Sequence, residues 1–344
     1  MVAVRRLALI MPLVLALPVA LPSLLTGGAR PATAATDRAR GAAGTTKVLI
    51  VTLDSVGSKA IALAGPERTP TLHRLMEEGA STLNARTVRE ETWTLPNHTT
   101  IVTGRRVDAD PNGHGVYWND ERTDPATVSE AAGRDLSTVF RVVDSDVRDT
   151  ALFASKEKLR LFKRSWPSAI GRLVVEEDNP LLVRKARRDL VEHRRALTFV
   201  HLSGPDVVGH AEGFLGPEHL AAVEEADRLL GRLVAAIEAR PRLRRHVTVI
   251  VTADHGGAGD GHGDPTVLVN FKIPFVVWGV GVKPGANLYA LNHDYRNPGT
   301  RRTRYGLRRP PVRNGDAANL ATDLLGLKAL PGSQFNADQS LDVR

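Results

Sequence analysis

KVLIVTLD, residues 47–54, is a continuous run of aliphatic and β-branched residues that closes on a carboxylate. A strand with no polar alternation has both faces covered, the condition of a strand inside a parallel sheet rather than of an antiparallel sheet with one wet face. Two later stretches repeat the pattern: LTFVHLSGPD at 197–206 and VTVIVTAD at 247–254, each again reaching an aspartate. Residues 151–155 and the IPFVVWG run at 273–279 offer further strands. Helical patterns lie between them, at residues 69–79, 180–196, 217–239 and 316–325. The third is the clearest, because Leu220, Val223, Ala226, Leu230, Leu233 and Ile237 fall three and four apart and make one apolar stripe. Alternation of strand and helix predicts an α/β fold, a three-layer α/β/α sandwich around a mostly parallel sheet. Ligands of such sheets bind beyond the carboxyl ends of the strands. Asp54, Asp206 and Asp254 are therefore expected to converge.

The chain has 344 residues, 42% of them hydrophobic and 24% charged, enough to bury a large core without being fibrous or disordered. We expect one catalytic domain over residues 47–329, followed by a C-terminal tail at 330–344. The N-terminus differs from the rest. Arg5 and Arg6 precede an apolar run at residues 7–25 and a small-residue stretch, Ala32-Thr33-Ala34. That is the layout of a secretory signal over residues 1–34, and a small, polar linker follows at 35–46. Pro12, Pro18 and Pro22 interrupt the run, which favours cleavage over a membrane anchor. The expectation is export, to the medium or the cell envelope, with membrane association only if this segment is uncleaved.

Cysteine is absent, which excludes thiolate zinc sites, catalytic cysteine and disulfides. The formal charge is +8, and much of the excess sits in Arg301, Arg302, Arg304, Arg308 and Arg309. Small anionic partners fit this balance. A nucleic-acid groove is not expected, because no aromatic residues interleave with the basic ones.

Four segments carry candidate chemistry. Asp254-His255-Gly256-Gly257 sets a hard oxygen beside an imidazole, and the glycines let the backbone turn away at once. Asp206 and His210 stand four apart, on one face of a helical turn, and can grip one cation. Asp54 closes the first strand. In TWTLPNHTT at 92–100, Thr94 before a proline-bearing first turn reads as a helix N-cap. The same position is one where backbone N–H groups favour a phosphate and a hydroxyl can be activated as a nucleophile.

Taken in order and at these separations, TLDSVG, TWTLPNHTTIVTG, GPDVVGH and TADHGG resemble the alkaline phosphatase superfamily, and most closely its type I phosphodiesterase/nucleotide pyrophosphatase branch. The resemblance implies two divalent ions, zinc or alternatively manganese, and a small anionic phosphate ester as substrate. It assigns Asp54, Asp254 and His255 to one ion, with Thr94 beside it as the attacking hydroxyl. Asp206 and His210 go to the second ion, with a third ligand from either His262 in GDGHGD or His293 in LNHDY; His262 is favoured because its glycine-rich loop follows the cage directly. Asn119, five residues after His114, matches an asparagine that binds a phosphate oxygen. His73, His193, His219 and His246 are expected to be surface or core residues. Arg105 and Arg106 follow a helix-ending glycine and are expected to be structural. The expected activity is phosphodiester or pyrophosphate hydrolysis through a phosphothreonine. The alternatives are a phosphomonoesterase of the same superfamily and a non-catalytic, metal-stabilised envelope protein; a formylglycine sulfatase is disfavoured because no cysteine exists to modify.

Overall fold

In a computed structural model, residues 46–344 are described. The expected signal segment and nearly all of the expected linker lie outside the described residues. Among the described residues, no helix is long and apolar enough to cross a membrane.

Eight strands form one sheet: β1 Lys47–Leu53, β2 Ala80–Arg86, β3 Thr150–Ala154, β4 Arg172–Val175, β5 Leu197–Leu202, β6 Val247–Thr252, β7 Lys272–Gly279 and β8 Ala286–Asn287. Their spatial order is β4-β3-β5-β1-β6-β7-β2-β8. β4, β3, β5, β1 and β6 run parallel, and β7 is antiparallel to both of its neighbours, β6 and β2. The mostly parallel α/β sheet read from the sequence is thus the sheet observed.

The unbroken apolar runs have the cause expected of them. Every residue of β1, β5 and β6 is buried. Alternate β1 side chains feed two separate cores: Val48 and Ile50 enter one, and Leu49, Val51 and Leu53 the other. Burying such a side chain contributes about 1.5 to 3 kcal/mol. The helix Pro217–Glu238 lays its predicted stripe on the second core through Val223, Ala226, Leu230, Leu233 and Ile237. The helix Asp316–Leu324 covers the other face through Ala317, Leu320 and Leu324.

Three details depart from the sequence reading. β5 stops at Leu202, so Asp206 lies not at a strand end but in the first turn of the helix Gly204–Glu212. β2 and β4 had no apolar run to announce them: β2 reads ASTLNAR and carries a register shift against β7, and β4 is a half-exposed edge strand of four residues. Residues 330–344, set apart above as a tail, are packed into the body. Leu330, Leu341 and Val343 join the first core, and the backbone N–H groups of Gln334 and Phe335 both donate to the carbonyl of Gly104.

β1 is the centre of the arrangement, flanked by β5 on one side and β6 on the other. The chain order reverses there, which opens a crevice beyond the carboxyl ends of the three strands.

Candidate metal centre and nucleophile

The loops leaving β1 and β6 approach each other so closely that side chains are excluded from both. A Cβ on Gly256 would lie 2.2 Å from the carbonyl oxygen of Val269, and one on Gly57 would lie 2.8 Å from the Cα of Gly256. Between them, Ser55 takes a left-handed conformation (φ 62°), and its N–H donates to Asp254 Oδ1 at 3.2 Å. A non-glycine residue in this region is strained, and such strain collects at functional sites. The outcome is that Asp54, Asp254 and His255 share one buried floor, each with no solvent exposure.

Their ligating atoms face one another. His255 Nε2 lies 3.4 Å from Asp54 Oδ1 and 3.3 Å from Asp254 Oδ2. His255 Nδ1–H donates to the Gly256 carbonyl at 2.9 Å, which leaves the Nε2 lone pair pointing at the carboxylates. Asp206 Oδ1 lies 3.6 Å from His210 Nε2 and 3.4 Å from His262 Nε2. His262 is held in the same way, with Nδ1–H donating to the Thr92 carbonyl at 2.6 Å, while the Thr92 hydroxyl donates to the His262 carbonyl. The two Nε2 atoms of His210 and His262 are 3.0 Å apart. Among the described residues, two groups of side chains able to hold a cation result: Asp206, His210 and His262, and Asp54, Asp206 and His255. His293 is exposed and belongs to neither group, whereas His262 belongs to the first.

Whether divalent ions fit can be read from what these atoms lack. Asp54 Oδ1, Asp206 Oδ1, Asp254 Oδ2 and His255 Nε2 are all buried and all without a hydrogen-bond partner. Orphaned buried polar atoms each cost about 1 to 3 kcal/mol, and buried charges more. Four of them aimed at one space are the complement of a hard or borderline cation with oxygen and imidazole ligands. The electrostatics agree. Burial alone would raise the Asp54 carboxyl, yet Lys156, the hydrogen bond from His201 and the nearby imidazoles hold it well below the usual carboxylate range. Asp254 is pushed well above that range by burial and by the charge of Asp54. Burial keeps His255 and His262 neutral, the form that ligates.

Thr94 opens the helix Thr94–Thr103 and is fully buried. The capping expectation is corrected here: the N-cap is Trp93, with extended backbone, and Thr94 is the first helical residue. Its hydroxyl is therefore not committed to the helix, and it accepts from Lys156 Nζ at 3.3 Å. Asn119 stands against the same helix end, where its Oδ1 accepts from the Leu95 N–H at 3.0 Å. That bond leaves the amide Nδ2 as its donor. Arg105 donates to the carbonyls of Asn112 and Pro331, and Arg106 pairs with Asp108, so both arginines serve structure as expected. Beside Asn119, Trp93, Tyr117, Trp118 and Arg122 line a cavity of about 590 Å³.

Sequence reasoning missed three residues. Lys156 follows β3, the next strand over from β5, and bridges Asp54 Oδ2 at 2.7 Å and Asp206 Oδ2 at 2.6 Å. Its ammonium is raised above its ordinary range despite burial, by those two carboxylates. The carboxyl end of β3 lies in the same row as the aspartates, so the SKEK that follows it was available as a signal. His201 donates from Nε2 to Asp54 Oδ2 at 3.0 Å, and its tautomer is fixed because Nδ1 accepts from the Ser155 N–H at 3.3 Å. His98 donates from Nδ1 to the Thr94 carbonyl at 2.8 Å and accepts from Thr52 at Nε2. Burial, and then the neighbouring His201, lower its pKa to about 3. These two histidines orient the carboxylate and the helix turn that bears Thr94.

Comparison with known proteins places this geometry in a family. Residues 48–134 and 141–303, most of the chain, match the family described as Type I phosphodiesterase / nucleotide pyrophosphatase. The chain belongs to that family. Among solved structures it is similar in fold to murine ectonucleotide pyrophosphatase / phosphodiesterase 5, an inactive threonine-to-alanine variant in complex with AMP. The TM-score is 0.60 at 14% identity, over 86% of this chain and all of that one. It is also similar to an alkaline phosphatase superfamily protein from Vibrio parahaemolyticus, with a TM-score of 0.58 at 16% identity, over 87% of this chain and 72% of that one. Over 86 residues it is 40% identical to the 2,3-bisphosphoglycerate-independent phosphoglycerate mutase of Synechococcus elongatus; that stretch is 24% of this chain and only 15% of the relative's length.

Proposed function

We propose that this member of the type I phosphodiesterase / nucleotide pyrophosphatase family hydrolyses small phosphate esters through a phosphothreonine on Thr94, at a centre that holds two divalent ions. Zinc is the expected ion and manganese the alternative. One observation carries the reading: the uncommitted, buried Thr94 hydroxyl sits at a helix N-terminus beside four orphaned ligand atoms. Asp54, Asp254 and His255 would hold one ion, and Asp206, His210 and His262 the other. When bound, such a pair neutralises charge on the transferring group and activates the attacking and leaving oxygens.

The chain's own residues account for the rest. Thr94 Oγ1 attacks phosphorus and the ester bond to the leaving group breaks, the leaving oxygen taking a proton. Water then attacks the phosphothreonine and restores the hydroxyl. Asn119 Nδ2 donates to a non-bridging oxygen, and the first-turn N–H groups of the helix favour the negative charge that develops there. His98 keeps the Thr94 turn in place by its bond to the Thr94 carbonyl. Export of the chain, with the N-terminal segment removed, remains part of this proposal.

Diesters are the proposed substrates, because a neutral amide suffices for the single charge of a diester. Lys156 favours a second reading. Its ammonium near Thr94 is the extra positive charge that a dianionic monoester calls for, so monoesterase activity is the alternative. The deciding experiment compares an aryl phosphate diester, an aryl phosphate monoester and an aryl sulfate on zinc-loaded protein. A higher kcat/KM for the diester is expected; a monoester preference moves the assignment to the second reading, and no hydrolysis of either phosphate ester ends both.

A further inference from the structure

The segment at residues 296–311 folds around a cavity of about 410 Å³, and six of its lining residues are arginines: Arg296, Arg301, Arg302, Arg304, Arg308 and Arg309. No aspartate or glutamate lines it. Some exposed arginines elsewhere pair with a carboxylate, as Arg141 does with Asp135 and Arg228 with Glu225. Among the described residues none of the six makes an ion pair, and only the charge of Arg302 is felt by a carboxylate, that of Asp264 outside the cavity. Two are tied down by carbonyl groups instead: Arg302 donates to the Arg89 carbonyl, and Arg309 donates to that of Tyr295 at 3.0 Å. The Nε atoms of both remain buried without a partner.

This is not a loose basic tail. Arg86 and Arg313, themselves buried, grip the backbone of the segment from beneath. Arg86 donates to the carbonyls of Gly299 at 2.7 Å and Arg301 at 3.2 Å, and Arg313 to that of Thr303 at 3.1 Å. A rigid frame that gathers like charges around a cavity with no carboxylate in its lining is organised for an anion that arrives from outside. Guanidinium groups bind phosphate by paired N–H donors, and several such groups around one space suit more than one phosphate. Pro298, Leu307 and Pro311 add apolar wall, and the volume is that of a site for a small organic molecule.

We infer that this cavity is a second binding site, distinct from the metal centre, for a small organic anion carrying two or more phosphate groups. None of its lining residues is a ligand or the nucleophile. Arg302 nevertheless holds Arg89, in the stretch that leads from β2 to Thr94, so the site abuts the catalytic segment.

The test uses the full, zinc-loaded chain carrying Thr94→Ala, which cannot turn over, titrated by calorimetry at fixed ionic strength. Fructose 1,6-bisphosphate is the organic probe and inorganic phosphate the simple one. The expected result is two binding events for the bisphosphate. One is lost, or weakened by about tenfold or more, when Arg301, Arg304 and Arg308 are all changed to Ala. These three side chains are exposed and make no hydrogen bond to the protein among the described residues, so folding is not at stake; Arg308→Glu alone should weaken the same event. Inorganic phosphate should bind the metal centre and not this cavity. With Thr94 intact, the triple variant should hydrolyse an aryl ester as the parent does, which separates failure here from failure of the metal centre. A single event in the parent, two unchanged events in the triple variant, or the same loss on changing Arg184, Arg187 and Arg232 to Ala would each overturn the inference.

Discussion

Two regions of this molecule gather charge of one sign, and they do so under opposite conditions. At the carboxyl ends of β1 and β6 and in the helix after β5, three carboxylates meet in a dry space with one ammonium, Lys156, among them. At residues 296–311, six guanidinium groups meet at the surface, several open to water. Like charges at contact distance repel by about 1 kcal/mol in water and by severalfold more at the lower effective dielectric of a protein. The difference teaches what each region requires. The buried carboxylates, out of reach of water, are the groups proposed above to hold cations, whereas the exposed arginines are screened by water.

That contrast can be broken most severely at Thr94. Thr94→Ala should abolish turnover while leaving the thermal transition in place, since among the described residues the Thr94 side chain makes no capping bond and its hydroxyl bonds only Lys156. An active Thr94→Ala with an inactive Thr92→Ala, read by the same assay, would relocate the nucleophile. The next largest effect tests the buried region's demand for cations: His262→Ala should lower zinc content from two toward one per chain, whereas His293→Ala should leave it unchanged. The reverse pattern in elemental analysis would return the third ligand to His293. Asn119→Ala should cost about 2.7 to 4 kcal/mol of transition-state stabilisation, the range for one lost oxyanion donor, measured as kcat/KM on the preferred ester. Unchanged kinetics would remove Asn119 from the site.

How much of this was legible in the sequence depended on how each residue is held. The strands that carry the centre announced themselves, because burial on both faces leaves 47–53 and 247–252 mostly aliphatic, with no polar alternation. The aspartates were read from the rule that ligands sit at strand ends, and Asp206 does lie near the other two although its strand stops at Leu202. His262 was legible only as one of two candidates, because a loop histidine's partner, here the Thr92 carbonyl, is far away in the chain. Lys156, His98 and His201 were not found. Their roles arise from register across β3, β5 and β1 and from a helix turn, and a single lysine or a histidine inside an apolar run carries no pattern of its own. The packing of residues 330–344 was also hidden, because Leu330, Leu341 and Val343 are too widely spaced to show a period.

A smaller effect concerns a histidine that belongs to neither charged region. Burial pushes the pKa of His114 down to about 3, from 6.5 in the unfolded chain. Between those values the unfolded chain binds a proton that the fold excludes. Stability should therefore fall as pH is lowered through that window, by up to about 1.4 kcal/mol per pH unit from this residue. Urea midpoints between pH 6.5 and 5 should fall less steeply in His114→Asn than in the parent; equal slopes would contradict the assignment.

The central claim is that the buried carboxylates and imidazoles form a two-ion centre on which hydrolysis depends. Metal content by mass spectrometry, measured together with turnover before and after chelation, tests it most directly. Two divalent ions per active chain are expected, with loss of activity when they are removed and its return when zinc is restored. Full turnover in chain stripped of metal would contradict it.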